Sequence, residues 1–314
     1  MVFLPLIPDR LRVEAVCKRW RRLSLEELPV TELDFGQVAV RPLLRRDVSA
    51  MLERAKQQLT RLVLPEITLV DTHVELIAQQ TSLRDFRAYR IQKKHIFNIL
   101  KRCPNLQMLE LLDCRALSLS GWPRDAVPLR EVYLNGCNFV TNQSTPLTQL
   151  QVLILDKTKI NDDGLLAMSK VGLSLRYLSL QDCRAISDAG VTTLPSSDGA
   201  LNGCTNLELV DLKGTHVTDM SLKVLEARCP RLHLVRVDSC RSVSRKMRIK
   251  YNERVRSVLA GGRLSKYERI FAERKKIEMI DPNKSSSESE SDQDADNDYI
   301  IEVRRSGASY RRRR

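Results

Sequence analysis

The chain has 314 residues, of which 42% are hydrophobic and 29% are charged, and its formal net charge is +13. This composition is typical of a folded protein with a sizeable core and excludes a chain that is disordered throughout. No run of about 18 apolar residues occurs, so we expect no membrane-spanning helix. Residues 1–8 are apolar, but they contain Pro5 and Pro8 and lead into charged residues, which is not the pattern of a secretory signal. We therefore expect a soluble protein of the cytoplasm, the nucleus or both.

The first predicted element is a helix that begins after Asp9, a residue type that caps helix N-termini. Leu11, Val16 and Trp20 fall on one broad apolar face, and arginines such as Arg19 fall largely on the opposite face. An amphipathic helix of this kind is suited to cover the open end of a repeat array.

Residues 106–114 contain leucine at the first, fourth and sixth places and cysteine at the ninth, which is the pattern L-x-x-L-x-L-x-x-C. Successive copies begin about 21 to 32 residues apart, which is the period of a leucine-rich repeat. The pattern predicts an α/β solenoid over residues 29–240, in which each copy supplies a short strand followed by a convex-side segment. Further full copies, with Cys or Thr in the ninth place, begin at Leu129, Leu150, Leu175, Leu207 and Leu232, and weaker copies begin at Val30, Leu59 and Leu83.

Half of the eight cysteines stand in the ninth place of a repeat, and no C-x-x-C pair occurs. We expect them to be buried free thiols in a reducing compartment, because free cysteine packs as a small hydrophobic residue. Zinc binding and disulfides are the alternatives. The ninth-place cysteines are Cys114, Cys137, Cys183 and Cys240.

A polar helix-capping residue follows an apolar residue after three of the predicted strands. The three capping residues are Asn161, Ser187 and Thr218. Each is expected to begin a helix on the convex side of the solenoid.

The leucine pattern stops after Cys240. Apolar residues recur every four residues from Val243 to Leu259 and predict a helix that ends at Gly261, while residues 264–280 predict a second, basic helix. We interpret residues 241–280 as a basic helical cap on the C-terminal end of the solenoid.

Residues 281–314 contain a run of serine and acidic residues followed by a basic end, with too little apolar surface to fold. They are expected to form a disordered tail. Ser287 and Ser289 stand three residues before acidic residues and resemble sites of acidophilic kinases. The arginines at 311–314 are expected to be solvated, with a nuclear-import signal or a nucleic-acid contact as alternatives.

Side chains alternate along a strand, so the third, fifth and seventh positions of each copy face the concave side of the solenoid. Apolar and aromatic residues at positions that the fold does not need to bury favour a protein-binding surface. The alternative is that the C-terminal tail or neighbouring side chains cover this face. The predicted target-binding residues are Met108, Leu112, Tyr133, Val152, Ile154, Tyr177, Leu209 and Leu234.

Residues 16–23 read VCKRWRRL and follow LPLIPDRL at residues 4–11. This sequence closely resembles the second half of an F-box, the helical module that docks on the Skp-family adaptor of cullin-RING ubiquitin ligases. An F-box before cysteine-type leucine-rich repeats resembles the F-box/LRR family over residues 1–240. Residues 1–3 resemble the end of the Leu-Pro-x-Glu helix that opens the family's F-box, so residues 1–28 are expected to form a truncated F-box. The resemblance implies adaptor contacts at Leu4, Pro5, Leu11, Val16, Cys17 and Trp20.

The resemblance implies a leucine-rich-repeat horseshoe with an N-terminal all-α F-box-like cap and a disordered C-terminal tail. It also implies a substrate-recognition subunit of an SCF-type ubiquitin ligase, which binds the adaptor and cullin complex and a target protein for ubiquitin-dependent proteolysis. The alternative is a leucine-rich-repeat interaction scaffold without ligase attachment, located in the nucleus.

Catalytic, cofactor-binding and metal-binding motifs are not found in the sequence. It contains no Gly-rich phosphate loop and no nucleophile elbow. The aspartates at 292–298 imitate the start of a calcium loop but lack its turn glycine and its closing glutamate. We expect no enzyme activity, cofactor, metal, small-molecule ligand or nucleic-acid partner. The scattered histidines, expected to be ordinary surface or edge residues, are His73, His95, His216 and His233.

Overall fold

The computed structural model describes residues 17–18, 30–37, 45–114, 127–137, 149–169, 174–195, 203–261 and 263–280. Within these ranges, nine strands form one parallel sheet whose strand order follows the chain. The chain divides into two compact units, Met1–Ile270 and Phe271–Arg314, and the sheet lies in the first. The strands are β1 (Glu32–Asp34), β2 (Arg61–Val63), β3 (Asp85–Tyr89), β4 (Met108–Leu112), β5 (Glu131–Tyr133), β6 (Val152–Ile154), β7 (Tyr177–Ser179), β8 (Leu209–Asp211) and β9 (Leu234–Arg236).

The fourth position of the repeat forms one apolar column through the whole sheet. Leu109 on β4 stands opposite Phe86 on β3 and Val132 on β5, and all three side chains are buried. The weak copies that begin at Val30, Leu59 and Leu83 therefore form strands in the same register as the full copies. The column consists of Leu33, Leu62, Phe86, Leu109, Val132, Leu153, Leu178, Val210 and Val235.

A residue with left-handed backbone conformation follows several strands, at the eighth position of the repeat. The φ angle is +55° at Asp113 and +57° at both Lys157 and Asp182, while Gly136 and Gly214 have φ of +67° and +68°. At Gly136 glycine also fits sterically, because a Cβ atom there would lie 2.9 Å from Asp113 Oδ1. The turn directs the following ninth residue back into the core.

The ninth-position side chains donate hydrogen bonds to strand carbonyls inside the core. Cys183 Sγ lies 3.0 Å from the Leu155 carbonyl oxygen of the preceding repeat, and that oxygen also accepts from Thr158 Oγ1 at 2.7 Å. Cys240 and Thr215 share the Leu212 carbonyl in the same way. All eight cysteines are free, and all except Cys17 are buried, so the predicted burial of the ninth-place thiols is confirmed.

Helices follow several of the strands. Ser187 and Thr218 each accept a hydrogen bond from a backbone N–H in the first turn, at 3.2 Å, and Asn161 Oδ1 accepts from Gly164 at 3.1 Å. The three predicted capping residues therefore do begin helices. The helices are α1 (Arg45–Arg54), α2 (Asp71–Ala78), α3 (Lys93–Arg102), α4 (Asp162–Ser169), α5 (Asp188–Val191), α6 (Asp219–Arg228), α7 (Arg245–Ala260) and α8 (Lys266–Ile280), with a 3-10 turn at Phe35–Gln37.

The first aspartate of one outer helix binds the capping residue of the next outer helix. Asp188 accepts hydrogen bonds from the Thr218 backbone N–H at 2.8 Å and hydroxyl at 2.6 Å, and from the Ser221 hydroxyl. Burial disfavours the charged form of Asp188 and raises its pKa. The hydrogen bonds from Ser221 and Thr218 outweigh this effect and hold the pKa of Asp188 below its ordinary value. These bonds join consecutive repeats on their convex side. The same relation links Asp162 to Ser187 and Asp219 to Ser244.

Helix α7 follows β9 and buries Tyr251 and Val255. The assignment of residues 241–280 as a C-terminal cap stays a prediction. The predicted F-box-like cap at residues 1–28 lies outside the described residues, apart from residues 17–18, and so does the predicted tail at 281–314. In the part of the chain that the structure describes, no helix is both long enough and apolar enough to cross a membrane.

We expect serine to be tolerated better at Cys183 than at Cys204, although both side chains are fully buried. A serine at position 183 keeps a donor facing the Leu155 carbonyl, and we expect it to cost about 1 kcal/mol of unfolding free energy. No described residue accepts from the Cys204 thiol, whose pKa burial raises to about 12, so Cys204→Ser should cost about 2–3 kcal/mol. Urea unfolding of both variants, with and without reductant, measures the difference; destabilisation of the wild-type chain by reductant would indicate disulfides instead.

We expect Asp188→Ala to lower the free energy of unfolding by about 1–2 kcal/mol at pH 7, because Thr218 and Ser221 lose their acceptor. The pKa of Asp188 is lower in the folded state than in the unfolded state. Its contribution to the free energy of unfolding is therefore fully present above the unfolded-state pKa of about 4. That contribution disappears as the pH falls through the folded-state value, and the two proteins should converge in stability at acid pH.

The matched control is Asp163→Ala. Asp163 also lies in the first turn of an outer helix but is exposed, and it accepts a hydrogen bond from Asn161 of its own repeat at 3.4 Å. Equal losses for the two variants in urea unfolding at pH 7 would show that the link between repeats contributes no stability.

Candidate protein-binding surface

The concave face consists of the third, fifth and seventh positions of the repeats, and the structure divides it into two parts. We call these positions on β1–β5 the open strip, because nearly all of its side chains are partly accessible; Val63 is the buried exception. We call the same positions on β6–β9 the closed strip, because nearly all of its side chains are buried; Lys213 and Asp238 are the partly accessible exceptions.

Five of the eight predicted target-binding residues lie in the closed strip and are 0% exposed, so a partner cannot contact them in this conformation. The alternation of side chains correctly placed them on the concave side, but alternation says nothing about what lies over that side. The predicted residues in the open strip, Met108, Leu112 and Tyr133, are partly accessible. The buried residues are Val152, Ile154, Tyr177, Leu209 and Leu234.

The closed strip also holds buried charged groups that bind one another. Asp211 pairs with Arg236 at 3.2 Å, and Arg236 also donates to Asp238 at 2.7 Å. Burial raises the pKa of Asp211 to about 6, although the Arg236 charge opposes this rise. Asp156 accepts from the Ser179 hydroxyl at 2.5 Å, and its charge also raises the pKa of Asp211. These groups make the closed strip part of the folded interior.

The first turn of α8 contacts the concave side near the start of several strands. Lys266 Nζ lies 2.6 Å from Glu131 Oε1 on β5, and Tyr267 Oη lies 3.3 Å from Gln151 Oε1, next to β6. His233 Nε2, next to β9, lies 2.9 Å from a carboxylate oxygen of Glu268. Burial raises the pKa of Tyr267, against the effect of the nearby Arg176 and Lys266 charges.

The open strip combines paired charges with aromatic and apolar groups. Arg87 forms an ion pair with Glu110 at 3.5 Å, donates to Tyr89 Oη at 3.0 Å, and has its guanidinium carbon 5.6 Å from the centre of the Tyr89 ring. Arg61 lies between Asp34 and Asp85, at 3.7 Å and 4.0 Å. Partly accessible aromatic, methionine and arginine side chains are enriched at protein interfaces.

Sequence reasoning missed the polar and aromatic side chains that β2 and β3 add to this strip: Arg61, Asp85, Arg87 and Tyr89. The signal that identifies them was present, because they occupy the third, fifth and seventh positions of the weak copies at Leu59 and Leu83.

Most of the predicted adaptor-binding residues cannot be placed on the described structure. Leu4, Pro5, Leu11, Val16 and Trp20 lie outside the described residues. Cys17 is described, and its side chain is exposed. Adaptor binding through these residues therefore stays a prediction.

Two of the histidines differ from the expectation of surface or edge positions. His73 and His95 are buried, with 1% and 5% exposure, and His95 Nε2 lies 2.8 Å from Asp71 Oδ1. His73 lies on α2 and His95 on α3, and each is among the buried residues of its helix. Across the described ranges, no three His, Cys, Asp or Glu side chains come close enough to hold a metal ion.

A scan against known protein families matches residues 173–194 to the Leucine Rich repeat. The chain contains a leucine-rich repeat. The match covers β7 and α5, and the repetition of the same strand in nine parallel copies is consistent with a leucine-rich-repeat protein. Repeats of this kind present extended concave surfaces to protein partners, so a role in protein–protein interaction is indicated.

Tyr133 and Tyr177 both occupy concave-side positions, the fifth and the third of their repeats, but only Tyr177 is buried. Replacing each by alanine should therefore change the melting temperature by different amounts. Tyr177→Ala removes a fully buried side chain and should cost about 3–5 kcal/mol, which corresponds to a melting temperature lower by about 10 °C. Tyr133→Ala removes a partly accessible ring and should lower the melting temperature by no more than about 3 °C. Differential scanning calorimetry measures both; similar shifts for the two variants would contradict the division into open and closed strips.

Proposed function

We propose that this chain is a protein-recognition subunit that captures a partner protein on the open strip of its concave face. The observation that supports the proposal is the strip itself, where Tyr89, Met108, Leu112 and Tyr133 remain partly accessible beside paired charges. A repeat solenoid needs to bury its first, fourth and sixth positions, but it does not need aromatic or methionine side chains at the third, fifth and seventh.

The more specific role that we propose is that of substrate receptor in an SCF-type ubiquitin ligase. Its support is the F-box-like sequence at residues 4–23, which stands directly before the repeats. In this role the N-terminal residues dock on a Skp-family adaptor, the open strip holds the target, and a separate conjugating enzyme supplies the chemistry. The chain would then accelerate ubiquitin transfer by positioning the target, without catalytic groups of its own.

A second candidate is an interaction scaffold without ligase attachment. The formal net charge of +13 and the arginines at residues 311–314 favour it, because a strongly basic chain associates with acidic partners in the nucleus. The two candidates share the open strip and differ only in whether the N-terminal residues bind an adaptor.

Titration of a purified Skp-family adaptor into the full chain, followed by calorimetry, distinguishes the two candidates. The receptor role predicts a complex with a dissociation constant below about 100 μM. Trp20→Ala should abolish the complex, because a large apolar side chain is lost from the docking module. Tyr133→Ala serves as the control and should leave adaptor affinity unchanged, since it changes the target-binding surface alone.

If circular dichroism shows that the chain is folded and no complex is detected at about 100 μM, the receptor role is rejected and the scaffold is favoured. Loss of adaptor binding in both variants would instead show that the docking module and the repeats are not independent.

A further inference from the structure

The open strip carries a charge opposite in sign to that of the whole chain, whose formal net charge is +13. Carboxylates outnumber cations among its third, fifth and seventh positions. A surface of this kind attracts cationic partners and disfavours acidic ones. The carboxylates are Glu32, Asp34, Asp85, Glu110 and Glu131, and the cations are Arg61 and Arg87.

Three adjacent strands place two of these carboxylates on either side of a methionine. Asp85 on β3, Met108 on β4 and Glu131 on β5 stand side by side in register. Neighbouring strands are about 4.8 Å apart, so the two carboxylates are separated by about 10 Å across the Met108 side chain. Burial raises the pKa of Asp85 despite the nearby Arg61 charge, so an additional cation would stabilise its ionised form.

A cation from the far end of the chain already occupies one end of this row. Lys266 Nζ lies 2.6 Å from Glu131 Oε1, and the Tyr133 hydroxyl donates to Glu131 Oε2 at 2.8 Å. The Lys266 side chain is 50% exposed and its ammonium also lies 5.9 Å from the centre of the Tyr267 ring, whereas Glu131 is 19% exposed. Tyr133 and Lys266 therefore bind different oxygens of the same carboxylate.

Lys266, which pairs with Glu131, is the first residue of helix α8. A cation carried by a helix can therefore reach this carboxylate. Residues seven apart on a helix lie on one face and are about 10 Å apart along the axis, and the residues three and four from the first lie between them. A helix with cations at the first and eighth of these places and apolar residues between them therefore matches Asp85, Met108 and Glu131 in both spacing and chemistry.

We propose that the open strip binds a basic amphipathic helix of a partner protein, and that a cation of this helix replaces Lys266 on Glu131. The proposal rests on the proposed function of the open strip and specifies the class of partner. Lys266 then acts as a built-in competitor, and partners that cannot displace it from Glu131 are rejected.

A synthetic helical peptide of about 18 residues in an alanine and glutamine background provides the probe. It carries Lys at positions i and i+7 and Leu at i+3 and i+4, and a matched peptide carries Glu in place of both lysines. Fluorescence anisotropy with the full chain should show at least about ten-fold tighter binding of the Lys peptide, and the difference should shrink as salt is added. Equal affinities for the two peptides, or no binding of either, would overturn the proposal.

The role of Lys266 is tested with a matched pair of lysine variants. Lys266→Ala should tighten binding of the Lys peptide about two- to five-fold, the range expected for release of an exposed ion pair. Lys250→Ala is the control, because Lys250 is also 50% exposed and pairs with Glu226 at 2.7 Å on the outer helices. The control should leave affinity unchanged, and circular dichroism should show both variants folded.

The Glu131→Gln variant completes the thermodynamic cycle. It should weaken binding of the Lys peptide, and Lys266→Ala should have no further effect in its presence. Tightening by Lys266→Ala that persists without the Glu131 carboxylate would show that the lysine does not compete at this site.

The proposed function is judged separately, from the proteins that the wild-type chain and Tyr133→Ala capture from a cell extract, identified and quantified by mass spectrometry. If Tyr133→Ala weakens that capture while the basic peptides show no preference, the open strip remains the partner-binding surface and the inference about basic helices is wrong. If capture is unaffected by Tyr133→Ala, the proposed function itself fails.

Discussion

A strand of three residues satisfies neither its own backbone hydrogen-bonding groups nor its apolar side chains, so each repeat of this chain depends on the repeats beside it. The column that runs from Leu33 to Val235 is the direct result, because each of its members is covered by the same position of the next strand. The left-handed turn at Gly136 and the carbonyl shared by Cys183 and Thr158 recur for the same reason. Each keeps successive strands in register while returning the chain toward the convex side.

Stacking of the repeats does not by itself bury the side chains of the concave face. These side chains are mostly buried in the closed strip and mostly accessible in the open strip. In the closed strip, fully buried apolar residues such as Tyr177 lie beside Asp211 and Arg236, which offset the cost of their burial by pairing. In the open strip, ion pairs such as Arg87 with Glu110 remain partly solvated and are therefore easily exchanged. We propose that a partner protein binds the open strip, because ion pairs can be exchanged there at a low cost in free energy.

Glu131 on β5 lies at the border between the open strip and the closed strip. Glu131 accepts from Tyr133 within its own strand and from Lys266, so one carboxylate links the open strip to the first residue of α8. An interaction between exposed and half-buried charges is strong enough to bias a surface and weak enough for a partner to replace. A repeat surface can in this way be selective without a deep pocket.

The repeat, its inward-facing leucines, the buried ninth-position thiols and the helix caps at Asn161, Ser187 and Thr218 were predictable from the sequence. Each depends on residues close together in the chain, where alternation, turn chemistry and capping act. The link from Asp188 to Thr218 and the burial of Val152 and Tyr177 were not predictable, because they depend on which side chains meet across repeats. Tyr267 contacts Gln151 across 116 residues of chain, and no local pattern encodes such a contact. The sequence determined which residues face the concave side; only the tertiary structure decided which of them remain accessible, because accessibility depends on what the rest of the chain places over them.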